Sequence, residues 1–199
     1  SLVPVPGRDI FVQAWYQGGI SVIDFTDSSN PVEIAYFDRG PLHEEELMLA
    51  GYWSAYWFDG LIYGTEIARG LDVFQLVPSD FLSENEIAAA SLRSAGTTVN
   101  PQQQKQHIWP ADPVVALAYV DQLQRSNSIS DNQVATLTTA LDRATNLLNE
   151  GNAGDQRTAG ALRTLASSFT SEAEGNSGVT RQRYNALSKT LSDLAQRIQ

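Results

Sequence analysis

GYWSAYWFDGLIYGTEIARGLDVFQL, residues 51–76, decides how the first part of this 199-residue chain folds. Asp59-Gly60 sits between two runs rich in aromatic and β-branched residues, and Asp-Gly is the pair that a tight two-residue hairpin demands. The stretch therefore predicts strands over 52–58 and 61–65. A third strand over 71–76 closes the set before Pro78. Strict alternation puts Trp53 and Trp57 on one face of the first strand and Tyr52 and Tyr56 on the other.

Working outward, the same grammar recurs upstream. Pro4 and Pro6 keep the chain's entry extended and outside any helix. Runs at 10–15 and 20–25 flank Gln17-Gly18-Gly19 and read as a second hairpin. Asp27-Ser28-Ser29-Asn30-Pro31 is a turn by composition, and a further strand over 32–37 ends at Arg39-Gly40-Pro41. Ile10-Phe11 followed by Gly19-Ile20-Ser21-Val22-Ile23 is echoed by Ile62-Tyr63 followed by Gly70-Leu71-Asp72-Val73-Phe74. The offset is about 51 residues, with one residue of difference inside the loop. Antiparallel strands recurring at ~40–50 residues mark propeller blades, and strands apolar on both faces suit sheets stacked between neighbours.

Beyond residue 77 the period changes from two to about 3.6. Ser83-x-x-Glu86 is a capping box that opens a short helix over 84–93, stopped by Gly96. Residues 97–113, with Gln102-Gln103-Gln104, are polar and aperiodic and read as a linker. Asp112-Pro113 is an N-cap with proline at the first helical position, opening a helix to about Arg125. Ser130-x-x-Gln133 caps a second, with Val134, Leu137, Leu141, Ala144 and Leu148 on one face. Ala159, Leu162, Leu165, Ala166 and Phe169 make a third stripe. Tyr184, Leu187, Leu191, Leu194 and Ile198 make a fourth, at bundle spacing.

Charge follows the same division. Residues 1–95 carry 14 acidic and 4 basic side chains, and residues 96–199 carry 9 of each, within a net charge of −10. Neither part has the basic footprint of a nucleic-acid or anionic-lipid binder. No apolar run reaches the ~20 residues of a membrane-spanning helix. The chain has no cysteine, so disulfides and thiolate metal sites are excluded. It opens on Ser1 without an initiator Met or signal peptide, which reads as a processing or fragment boundary. The expected fold class is mixed β plus α in two domains. Antiparallel propeller-type blades occupy residues 1–77 as an incomplete ring, a short helix and linker occupy 78–111, and a small up-down four-helix bundle occupies 112–199.

The segments FVQAWYQGGISVIDFTDSSNPVEIAYFD and GYWSAYWFDGLIYGTEIARGLDVFQL resemble the last blades of bacterial LVIVD-repeat β-propellers over roughly residues 8–77. That resemblance implies an exported protein that carries several further repeats. Two blades cannot close a ring, so it also implies that Ser1 opens a fragment or that blades arrive from a second chain. DQLQRSNSISDNQVATLTTALDRATNLLNEGN, ALRTLASSF and GVTRQRYNALSKTLSDL resemble the FIMAH-type helical domain of bacterial surface proteins, over about 112–198. That resemblance implies a carbohydrate- or surface-associated accessory role and an extracellular or cell-surface location.

Candidate chemistry is sparse. Trp15, Tyr16, Tyr52, Trp53, Tyr56 and Trp57 could stack on the apolar faces of sugar rings, or could be inter-blade core. Glu66, Arg69 and Asp72 surround Gly70, and form either a salt bridge holding that loop or a polar site at a propeller mouth. His43-Glu44-Glu45-Glu46 reads as a solvated acidic loop, because consecutive loop residues seldom converge on one ion. Asp24, Asp27 and Asn30 lack the spacing of a calcium loop and read as turn formers. No nucleophile motif and no phosphate-cradling glycine pattern is present, and no cofactor or metal is expected.

Three functions are compatible with these residues. The first is a non-enzymatic extracellular binding or scaffold protein whose partner is a carbohydrate or another surface protein. The second is a propeller-type glycoside hydrolase or lyase, which needs Glu44–Glu46, Glu66 or Asp72 to face one another at roughly 5–10 Å. The third is a structural protein that self-assembles through open sheet edges.

Overall fold

The computed structural model describes residues 1–92, 108–151 and 154–199. The expected end of the first helix near Arg93, its stop at Gly96 and residues 97–107 of the linker, with His107, lie outside the described residues. Contacts divide the chain into two compact units, Ser1–His107 and Ile108–Gln199. Two antiparallel sheets and five helices make it a mixed α and β protein among the described residues.

In the first unit, β1 (Leu2–Val3), β2 (Ile10–Ala14), β3 (Ile20–Asp24) and β4 (Val32–Phe37) form a meander in chain order. Strands β5 (Tyr52–Phe58), β6 (Leu61–Glu66) and β7 (Gly70–Phe74) form a second. Neither sheet closes on itself. Asp59 at φ 50° and Gly60 at φ 86° build the expected tight turn between β5 and β6. Strand β1 had no counterpart in the sequence reading. Its two residues earn their place by pairing with β2, Leu2 opposite Phe11 and Val3 opposite Ile10.

Two corrections concern which way side chains point. Tyr52 opposes Glu66 and Ser54 opposes Thr65, so Trp53 is an extra residue in a β-bulge. The bulge shifts the alternation by one. Tyr52, Ala55 and Trp57 share the core face of β5, while Trp53, Tyr56 and Phe58 are exposed. The sequence expectation of Trp53 with Trp57 and Tyr52 with Tyr56 therefore fails.

The second correction is to the repeat. Adding 51 to both members of the Phe11–Ile23, Val12–Val22, Gln13–Ser21 and Ala14–Ile20 pairs gives Ile62–Phe74, Tyr63–Val73, Gly64–Asp72 and Thr65–Leu71. The offset is thus uniform, with no residue lost in the loop. The partner of Ile10-Phe11 is Leu61-Ile62 rather than Ile62-Tyr63. A one-residue slip reverses every face, so the distinction matters.

Ile10, Val12, Ile20 and Val22 of the first sheet share one core cluster with Tyr52, Ala55 and Ile62 of the second. Phe37 meets Phe74 at 4.7 Å and Tyr52 at 6.3 Å between ring centroids, closing the rim of this contact. Helix α1 (Glu84–Ala90) carries the expected capping box of Ser83 and Glu86. It is fastened to the sheets by Arg8, whose guanidinium reaches Asp24 at 2.6 Å, Glu86 at 2.9 Å and the Phe81 carbonyl at 2.7 Å.

The second unit contains α2 (Pro113–Arg125), α3 (Asp131–Asn149), α4 (Gln156–Glu174) and α5 (Gly178–Ile198). Asp112 accepts from Val114 N–H, and Ser130 and Gln133 cap each other reciprocally. Asp155 caps α4 through the Arg157 and Thr158 N–H groups. Most of the expected stripe residues are buried, among them Leu137, Leu141, Leu162, Phe169, Leu187, Leu191, Leu194 and Ile198, while Val134, Leu148 and Leu165 are half-buried. Ala159, Ala166 and Ala173 recur every seventh residue on α4 and let α5 approach closely. Ser188 Oγ accordingly donates to the Ala166 carbonyl at 2.7 Å. Phe169 stacks on Tyr184 at 5.9 Å. Among the described residues no helix is long and apolar enough to cross a membrane.

Candidate functional site

One end of the β unit gathers the loop between β2 and β3, the start of β5 and the loop between β6 and β7. The loop after β2 is closed by Trp15 N–H to the Gly19 carbonyl at 2.9 Å. Tyr16 adopts φ 53°, a left-handed conformation that a bulky residue rarely takes. What holds it there is a two-bond bridge to β5. Tyr52 N–H donates to the Tyr16 carbonyl at 2.8 Å, and Tyr16 N–H donates to the Tyr52 carbonyl at 3.1 Å. Gly51 makes this approach possible, since a Cβ on it would lie 2.0 Å from the Tyr16 carbonyl oxygen, at φ 91°.

The consequence is an exposed aromatic pair. Tyr16, on a left-handed backbone, and Trp53, on the bulge, meet edge to face at 5.8 Å and 83°. Their residues are 51% and 67% exposed. Both are presented by irregular backbone that the surrounding hydrogen bonds fix in place. Trp15 and Trp57 do not join them. The Trp15 indole donates to Ser21 Oγ at 2.9 Å, and Trp57 is half-buried against the core cluster.

Glu66, Arg69 and Asp72 do not converge on a common point. Glu66 is 4% exposed. Its carboxylate accepts from Gly51 N–H at 2.6 Å, from Ala68 N–H at 2.9 Å and from Arg69 N–H. Desolvation pushes this carboxyl up, but the Gly51, Arg69 and Ala68 donors together with the Arg69 charge outweigh it and hold it below the ordinary Glu value. The loop is thus held by a carboxylate on backbone N–H groups, not by a salt bridge among Glu66, Arg69 and Asp72. The Arg69 guanidinium turns to the Pro41 carbonyl at 3.3 Å.

Asp72 accepts from the Tyr52 hydroxyl at 2.6 Å and from Arg39 at 2.6 Å. The Tyr52 hydrogen bond, then Arg39, hold its carboxyl below the usual range against desolvation, while burial and Asp72 raise the Tyr52 phenol. Arg39 is not among the sequence candidates, and the sequence offers Tyr52 as a ring-stacking aromatic rather than as a partner of Asp72. Arg39 lies far from Asp72 along the chain, and no local pattern announces the pair.

The remaining candidates resolve simply. His43 Nδ1 accepts the Glu45 and Glu46 N–H groups at 3.2 and 3.0 Å, making 43–46 a self-bonded loop. Asp27 accepts from Ser29 N–H at 3.0 Å and Ser29 Oγ at 2.6 Å, as a turn former does. Asp24 is occupied by Arg8 and Thr26. Among the described residues no three His, Cys, Asp or Glu side chains are placed to hold a metal ion. Compared with known protein families, curated proteins and solved structures, the chain shows no match to any.

Proposed function

We propose that this is a non-enzymatic binding or scaffold protein whose β unit presents Tyr16 and Trp53 to a carbohydrate. The exposed, backbone-fixed aromatic pair carries this reading. Two rings set at a right angle offer a face to one pyranose and an edge to the next. Their preorganisation lowers the ordering cost of binding. Gly51, Glu66 and Gln17 act underneath. Glu66 fixes the Gly51 amide, and the Gln17 side chain donates to the Met48 carbonyl at 2.7 Å, tying the loop after β2 to residues 42–50.

The propeller-type reading of the two sheets belongs to the same proposal, supported by the uniform 51-residue register. An extracellular or cell-surface setting and a FIMAH-like role for the helices rest on the sequence resemblances. The hydrolase or lyase reading draws no support from Glu66 or Asp72. Glu66 is bound by three backbone donors and Asp72 by Tyr52 and Arg39, each held as a carboxylate by those bonds, so neither is poised to exchange a proton with a substrate.

The test is tryptophan emission during titration with soluble polysaccharides of differing linkage. A blue shift with at least one glycan, lost in Trp53→Ala and in Tyr16→Gly, is expected. An unchanged spectrum across the panel, or full binding by Trp53→Ala, overturns the reading.

A further inference from the structure

The register repeat makes the contact between the two sheets directional. The first sheet meets the second with Ile10, Val12, Ala14, Ile20 and Val22. The second receives it on the opposite parity, with Ile62, Gly64, Asp72 and Phe74, joined by Tyr52 and Ala55. At the uniform offset, the positions equivalent to the first sheet's gripping face are Leu61, Tyr63, Thr65, Leu71 and Val73. These lie on the outer face of the second sheet, where Leu71 is 61% and Val73 51% exposed. Tyr56 opposite Tyr63 and Phe58 opposite Leu61 extend the same surface. It carries no charge, in a unit that is otherwise strongly acidic.

The receiving face is also present, at the other end of the pair. Phe11, Gln13, Ser21 and Ile23 on the outer side of the first sheet are the equivalents of Ile62, Gly64, Asp72 and Phe74. Tyr36, opposite Ser21 and 77% exposed, adjoins them. We infer that the outer face of the second sheet, through Tyr56, Phe58, Leu71 and Val73, docks the outer face of the first sheet of a second copy of this chain. The two sheets within one chain already make this contact once, so the docking continues an existing interface by the same displacement. Because the two faces differ, the association is head-to-tail and grows beyond a dimer unless the rotation closes a ring. The inference rests on the register repeat, as the propeller reading does, and not on the glycan reading.

A three-stranded face lies at the weak end of protein interfaces, so a Kd of about 10–500 µM is expected. Sedimentation equilibrium of the full chain from about 1 µM to about 1 mM spans that range. The expected result is a weight-average mass that rises with concentration past that of two chains. Leu71→Lys/Val73→Lys, at exposed positions, should weaken association at least about tenfold, because docking would have to desolvate two charges on a face that is otherwise uncharged. Tyr36→Lys on the opposite face should weaken it independently, with melting curves confirming that both variants fold. A mass that stays at one chain up to 1 mM overturns the inference. So does association that both variants leave intact, which would place it at sheet edges. Glycan titration of Leu71→Lys/Val73→Lys separates this inference from the binding proposal, since the Tyr16–Trp53 pair is unaltered.

Discussion

Arg8→Met is the substitution whose cost the structure fixes best. The Arg8 side chain is 5% exposed and joins Asp24 to Glu86, which is fully buried. Methionine replaces much of the packing volume and none of the charge. Glu86 then keeps its capping bond to Ser83 N–H at 2.8 Å but loses its ion pair with Arg8. Breaking one side of a buried ion pair costs about 3–5 kcal/mol, because the remaining charge stays desolvated. Glu86→Gln should cost only about 1–2 kcal/mol, since an amide oxygen can still cap and Arg8 keeps Asp24. The double variant is the decisive one. Removing both charges should cost less than Arg8→Met alone, a coupling of about 2–3 kcal/mol. Three of the four tryptophans, Trp15, Trp53 and Trp57, lie in the β unit. Urea unfolding followed by tryptophan emission therefore reports chiefly on that unit. An Arg8→Met cost below about 1 kcal/mol would refute the reasoning, as would a double variant equal to the sum of the singles.

Other perturbations follow from the same contacts. Gly51→Ala places a Cβ against the Tyr16 carbonyl at a positive φ, and should cost more than about 2 kcal/mol in the same urea assay. Trp53→Ala, at an exposed bulge position, should change stability by no more than about 0.5 kcal/mol. Leu194→Ala, fully buried in the helical unit, should cost about 2–5 kcal/mol by far-ultraviolet circular dichroism. Asp24, Glu66, Asp72 and Asp155 are all held below their ordinary values in the folded chain. Their stabilisation is complete above the unfolded carboxylate range and is lost as pH falls through the folded values. Thermal midpoints should therefore be flat from about pH 5 to 7 and decline below about pH 4.5. A midpoint unchanged at pH 3 would contradict this.

Local signals carried much of the fold. Asp59-Gly60, the caps at Ser83, Asp112 and Ser130, and the apolar stripes of the last three helices each act within a few residues, so their physics is visible in the string of letters. What escaped the sequence is non-local or depends on parity. Strand β1 exists because β2 offers it a partner, and nothing in Leu2-Val3 alone demands it. The bulge at Trp53 is a count of two residues against one across a ladder, and a ladder has two strands. Arg8 and Glu86 are 78 positions apart, and Arg39 and Asp72 are 33 apart. Of the candidate site residues, Tyr16 and Trp53 meet each other, yet no rule of alternation could have paired them. Their meeting depends on a left-handed residue in a loop of one sheet and an inserted residue in a strand of the other.

That inserted residue has a further consequence. Without Trp53, Tyr52 opposite Glu66 would be followed directly by Ser54 opposite Thr65, and the β5–β6 ladder would be regular from end to end. No core side chain would change sides. Trp53 is therefore an appendage to the strand, one letter that the fold can lose, keep or exchange without renegotiating its interior. Selection acting on what this surface touches has a position there that is mechanically uncoupled from selection acting on stability.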